Sequence, residues 1–138
     1  MSTLSQASVT LTGRALLASL FLVSGFGKLA APGATIGYIA STGLPLPAVA
    51  LVGALVIEIG FAAALLVGYR TQLVASVMAL FTLVTALVFH NQLGDQGQLI
   101  HFLKNLSIVG GLLQVAAFGA GAFSLDHVRN AKSGQAFA

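Results

Sequence analysis

Four stretches of about twenty mainly apolar residues, separated by short polar or glycine-rich breaks, constrain this chain more than any other feature. They run from about Arg14 to Ala31, Ala48 to Val67, Thr71 to His90 and Leu99 to Phe118. Each is long enough to cross the hydrocarbon layer of a membrane. In lipid a segment must satisfy its own backbone polar groups, so each is expected as a helix and not as an open strand.

The breaks set the topology. Gly68-Tyr69-Arg70 is a tight turn, which makes the second and third spans an antiparallel hairpin. His90 to Gln98 is a polar loop. Pro32 to Pro47 is longer, Pro- and Gly-bounded and half apolar, and a short interfacial helix is expected around Ala34 to Ser41. The expected fold is therefore all-α: an integral membrane antiparallel four-helix bundle over residues 14–123. Residues 1–13 form an N-terminal segment, and residues 124–138 form a poorly ordered tail.

Charge supports this and sets the direction. Only 7% of the residues are charged, six basic and three acidic, too few to solvate a globule of this size. Arg14, Arg70, Arg129 and Lys132 lie toward the end carrying the termini, and their expected role is that of topology anchors. The short-loop bias places both termini in the cytoplasm. A cleaved signal peptide is the rival reading of the first span. Its weak basic start and the Lys at position 28 favour a retained helix. No Lys/Arg cluster follows a phosphate backbone, so no nucleic-acid partner is expected. The absence of cysteine excludes disulfides, thiolate metal sites and dithiol redox chemistry.

The candidate functional residues are the polar groups inside the spans. Glu58 lies about ten residues into the second span, near the midplane, and Lys28 about fifteen residues into the first. Lys104 and Asn105 enter the fourth span from the same side on which His90 ends the third. An ionised residue at a helix centre costs about 2.5–3.5 kcal/mol, so these groups should face the interior and find partners. Lys28 is the expected partner of Glu58, with Lys104 as a competitor.

Helical spacing supports inward faces. Arg14, Leu17, Phe21, Ser24 and Lys28 form one seam, and Lys104, Ser107, Gly111 and Gln114 form another. Thr82 and Thr85 add hydroxyls on the third span. Gly25, Gly53, Gly60, Gly110 and Gly111 permit close helix approach.

Blander readings stand beside these. The Lys28–Glu58 pair could serve helix register alone. Lys104 suits snorkelling to the interface. His90 and His101 suit interface histidines, because a metal site there has no third ligand nearby. The glycines from Gly119 to Ser124 follow a membrane helix and not a strand, so they are no dinucleotide fingerprint. No self-contained catalytic motif is present.

Several segments resemble the DoxX family of small four-helix bacterial membrane proteins. GRALLASLFLVSGFGKL, Gly13 to Leu29, is similar to the family's opening helix. The single glutamate of the second span followed by ALLVGYRT resembles its second helix and turn. KNLSIVGGLL, Lys104 to Leu113, and GAGAFSLD, Gly119 to Asp126, resemble its fourth helix and closing signature. Ala122 and Phe123 stand where the family often carries Arg-Tyr, which leaves any role of those two positions in doubt.

The resemblance implies a bacterial inner-membrane location and an association with membrane redox systems, including a quinone oxidoreductase subunit. It implies a quinone as the bound molecule, with Glu58 or His90 exchanging protons and Lys28 stabilising developing negative charge. The expected function is an accessory or quinone-interacting subunit whose binding residues are Lys28, Glu58, His90, Lys104 and Asn105. A small-molecule or proton-coupled carrier acting as an oligomer is the first alternative. A structural or assembly partner with no chemistry is the second. The expected partners are the bilayer and either further copies of the chain or another membrane or redox subunit.

Overall fold

The computed structural model describes residues 2–135 and is helical throughout its ordered elements. In chain order these are α1 (Thr3–Ala30), α2 (Pro32–Ser41), α3 (Pro47–Val67), α4 (Thr71–Phe89), α5 (Gln96–Phe118) and α6 (Leu125–Gln135). Helices α1, α3, α4 and α5 are long and apolar enough to span a membrane, as expected. The first of them starts at Thr3, well before the apolar stretch, because Ser2 caps it by accepting from the Ser5 N–H at 3.3 Å.

Proline and glycine punctuate the chain where the sequence indicates. Pro32 opens α2 and Pro47 opens α3, each in the first turn where a missing N–H costs nothing. Gly68 ends α3 with a φ of +72°. A side chain there is excluded twice over: a Cβ would lie 2.4 Å from Ser124 Cβ and 2.9 Å from Arg14 Nη1.

The core occupies the half of the bundle nearer the termini, here the proximal half. Ala18 and Phe21 of α1 meet Ala62 and Leu65 of α3, with Val74, Ala75, Met78 and Ala79 of α4 and Leu112 of α5. Four of these residues are alanines, which lets the backbones approach closely where lipid supplies no hydrophobic drive for association. The distal half, capped by α2 and the α4–α5 loop, is less filled and holds the polar groups.

Three expectations change. Arg14 is no surface anchor: it is 1% exposed. Its Nη1 donates to the Leu65 and Leu66 carbonyls at 2.9 and 2.7 Å, and its Nη2 donates to the Phe123 carbonyl. The last turn of a helix leaves carbonyls without intrahelical donors, and the guanidinium satisfies two of them from a neighbouring helix.

The tail is the second change. Residues 125–135 form α6, and residues 136–138 lie outside the described part. Asp126 holds α6 by accepting from the Arg70 and Thr71 N–H groups, each at 2.8 Å, while its own N–H donates to the Gly68 carbonyl at 2.9 Å. Burial by itself would raise the Asp126 carboxyl. The Thr71 and Arg70 donors, with the Arg129 guanidinium 3.9 Å away, outweigh it and hold the carboxyl below its ordinary value.

The third change is the face of α5. Lys104, Ser107 and Gln114 are exposed, and only Gly111 of that seam approaches α1, where a Cβ would sit 3.5 Å from Leu17. The buried face carries Leu112, flanked by half-buried Asn105, Ile108 and Val109.

A polar cavity in the distal half

The middle of α3 is not α-helical. Val56 to Phe61 form a π-helical segment, a wider turn that proteins use most often at functional sites. Glu58 sits in it and is 6% exposed. Gly25 of α1 makes room for this widened turn, since a Cβ there would fall 2.7 Å from Ile59 Cγ1 and 3.0 Å from Glu58 Cβ.

This close approach brings three side chains together. Lys28 Nζ lies 2.8 Å from each Glu58 carboxylate oxygen and directs its hydrogen bond to Oε1. Lys28 also donates to Ser24 Oγ at 2.7 Å, and that hydroxyl donates to Glu58 Oε1 at 3.2 Å. Both α1 residues lie on one face, four apart. Glu58 Oε2 is buried and receives no directed hydrogen bond. It is an acceptor with a counter-ion but no geometrically aligned donor.

The pair lines a cavity of about 440 Å³, and all five expected binding residues, Lys28, Glu58, His90, Lys104 and Asn105, line it together. His90 is oriented by Gln98, whose Oε1 lies 2.9 Å from Nδ1. That bond selects the tautomer with Nδ1–H as donor and leaves Nε2 as an acceptor. His90 stacks on His101 at 5.1 Å between ring centroids, and Lys104 Nζ lies 3.4 Å from His101 Nδ1. Among the described residues no three metal-ligating side chains come together.

The remaining walls are apolar. Phe21, Phe81 and Phe89 face the cavity, and Tyr38 of α2 closes over it by stacking on Phe89 at 5.4 Å. Thr82 and Thr85 donate to carbonyls of their own helix, at 2.7 and 2.9 Å, which leaves their oxygens as acceptors. The arrangement suits a molecule with an apolar body and a polar head.

Sequence reasoning found the five polar residues and the Lys28–Glu58 pairing. It missed the π-helical turn and Gln98 as the partner of His90. Of the glycines named for close helix approach, Gly25 makes it, whereas Gly53, Gly60 and Gly110 have nothing within 4 Å of their Cβ positions. The doubt over Ala122 and Phe123 is partly resolved, because Phe123 contributes through its backbone carbonyl, which no side-chain change removes.

Comparison with known proteins agrees with the architecture. The family model for DoxX matches residues 9–91. The inner membrane protein YqjF of Escherichia coli strain K12 is 38% identical over 125 residues, covering 88% of this chain and 92% of that protein. The inner membrane protein YphA of the same strain is 35% identical over 121 residues, covering 84% and 86%. No solved structure matches the chain.

Proposed function

The chain belongs to the DoxX family and is a multi-pass inner-membrane protein, and from that membership we propose that its distal cavity binds a quinone-class molecule, the protein acting as an accessory subunit of a membrane redox system. One observation carries the reading. Glu58, on a π-helical turn inside the membrane, lines a cavity walled by aromatic rings with its carboxylate held by Lys28 and Ser24. An ionisable group there is costly to keep and is retained most often for function.

A bound quinone supplies two-electron, two-proton chemistry. The chain's own residues would hold it and exchange protons with it. The Glu58 carboxylate would accept from a ring hydroxyl and hold its proton, with Lys28 and Ser24 fixing the carboxylate. His90 Nε2, left free by the bond to Gln98, is a second proton acceptor. In this reading electrons would come from a partner subunit. We also propose that the termini lie in the cytoplasm. Arg70, Arg129 and Lys132 still crowd the proximal end after Arg14 is withdrawn into the bundle. The cavity then lies in the periplasmic half.

The test is direct. Lipid extracts of protein purified from native membranes should contain quinone, and menadione should raise the melting temperature of the wild type more than that of Glu58→Gln. Extracts free of quinone, with no thermal effect of menadione, would sink the proposal.

A further inference from the structure

The chain contains three acidic side chains, and the structure accounts for each. Glu58 is paired with Lys28. Asp126 is at the proximal end, on the Arg70 and Thr71 N–H groups and Arg129. Asp95 caps α5, accepting from the Gln98 N–H at 2.8 Å. No side-chain carboxylate is left for Lys104. Its sole polar contact among the described residues is the His101 ring nitrogen, a neutral acceptor at 3.4 Å.

Lys104 lies about 12 Å along α5 from Gln96. It lines the cavity beside Asn105, whose half-buried amide makes no side-chain hydrogen bond among the described residues. The fixed charges facing the cavity are Lys28 and Lys104 against Glu58 alone, with His90 able to add only further positive charge. The cavity therefore has a net positive wall, lined by an ammonium whose one described partner is His101 and by an amide with none.

From this we infer that the cavity takes an amphiphile carrying a single anionic oxygen, paired with the Lys104 ammonium and the Asn105 amide, with its apolar body against Phe21 and Phe81. The inference rests on the reading of the cavity as a ligand site and adds the ligand's charge. The anionic oxygen has two chemical sources, a long-chain carboxylate or an ionised ring hydroxyl. An uncharged ligand would leave the Lys104 ammonium without a counter-ion at the cavity wall. A charged partner supplies a charge-assisted hydrogen bond there.

The experiment uses the full chain in nanodiscs of phosphatidylcholine, a zwitterionic lipid, with empty nanodiscs as reference. Four probes are titrated calorimetrically: laurate against methyl laurate, and 2-hydroxy-1,4-naphthoquinone against 1,4-naphthoquinone. In at least one pair the anion should bind about tenfold more tightly than its neutral partner. Lys104→Gln should abolish that preference and Lys104→Arg should keep it; the side chain is exposed, so both variants should fold. A preference in the laurate pair identifies a carboxylate, and one in the naphthoquinone pair an ionised ring hydroxyl. Equal affinity of anion and neutral partner in both pairs overturns the inference, as does a preference that survives in Lys104→Gln, the result expected if Lys104 only reaches for lipid headgroups. The two readings fail separately. Tight binding of neutral naphthoquinone without anion preference upholds the quinone and overturns the charge. Lys104-dependent laurate binding with neither naphthoquinone bound does the reverse.

Discussion

Gly25 and Glu58 lie back to back across the α1–α3 contact, and a Cβ on Gly25 would come within 3.0 Å of Glu58 Cβ. The absence of one side chain thus sets the position of another. Gly25→Ala should force the π-helical turn away from α1 and lengthen the contact of Lys28 and Ser24 with the carboxylate. Overpacking of this kind costs about 1–3 kcal/mol. The check is thermal unfolding in detergent together with menadione binding, and both should weaken. Gly27, which has nothing within 4 Å of its Cβ position, should accept alanine without loss.

The ion pair predicts an asymmetry among its variants. Glu58→Met leaves Lys28 as an uncompensated charge and should cost about 3–5 kcal/mol. Lys28→Met leaves Glu58 in the same position and should cost a similar amount. The double variant removes both charges and should recover most of that stability while ligand binding remains lost. Denaturation of the four proteins as a double-mutant cycle measures the coupling. Full recovery of binding in the double variant would mean that the pair serves packing alone.

Arg14 makes a different demand, for shape as well as charge. It reaches the carbonyls of Leu65, Leu66 and Phe123 with two nitrogens of one planar group. A lysine keeps the charge but cannot span acceptors on two segments, so Arg14→Lys should be destabilising by roughly 1.5–3 kcal/mol, the worth of a hydrogen bond to a charged group. Limited proteolysis should then cleave α6 sooner in the variant than in the wild type.

Asp126 makes the proximal end acid-sensitive. Its carboxyl is held below the ordinary value in the folded chain, so its contribution is complete above the unfolded value near 3.9. That contribution is lost as pH falls through the lower, folded value. Asp126→Asn should be less stable by about 0.5–2 kcal/mol at neutral pH, the usual worth of a helix cap, and the difference should shrink on acidification. Melting curves of both proteins from pH 7 downward measure it.

The spans were legible because length and apolarity are properties of the residues themselves, and the cost of charge in lipid made Lys28 and Glu58 legible as a pair. Arg14 was not. An arginine near the end of an apolar stretch has the signature of an anchor, and its partners are backbone carbonyls that any sequence possesses. The π-helical turn leaves no mark either, since a switch from i→i+4 to i→i+5 bonding changes no residue type. The seam on α5 failed for another reason. In a membrane both faces of a helix can be apolar, so polar and small residues in a row mark an interior only if the exterior is known to lack them. On α5 Ser107 and Gln114 instead lie on the exposed side, and Lys104, though exposed, lines the distal cavity.

The Arg14 contact has a consequence for the order in which the protein is made. The guanidinium belongs to α1, which leaves the ribosome before the rest of the bundle, whereas one of its acceptors, the Phe123 carbonyl, is 109 residues further along the chain. Until the last segment has been synthesised and folded back, the first helix stays in the bilayer with a cation only partly satisfied. The same segment carries Asp126, which caps α4. Closure of the proximal end therefore waits on the segment after α5, and a chain truncated before Phe123 would insert four helices with Arg14 held only by the Leu65 and Leu66 carbonyls and the start of α4 uncapped.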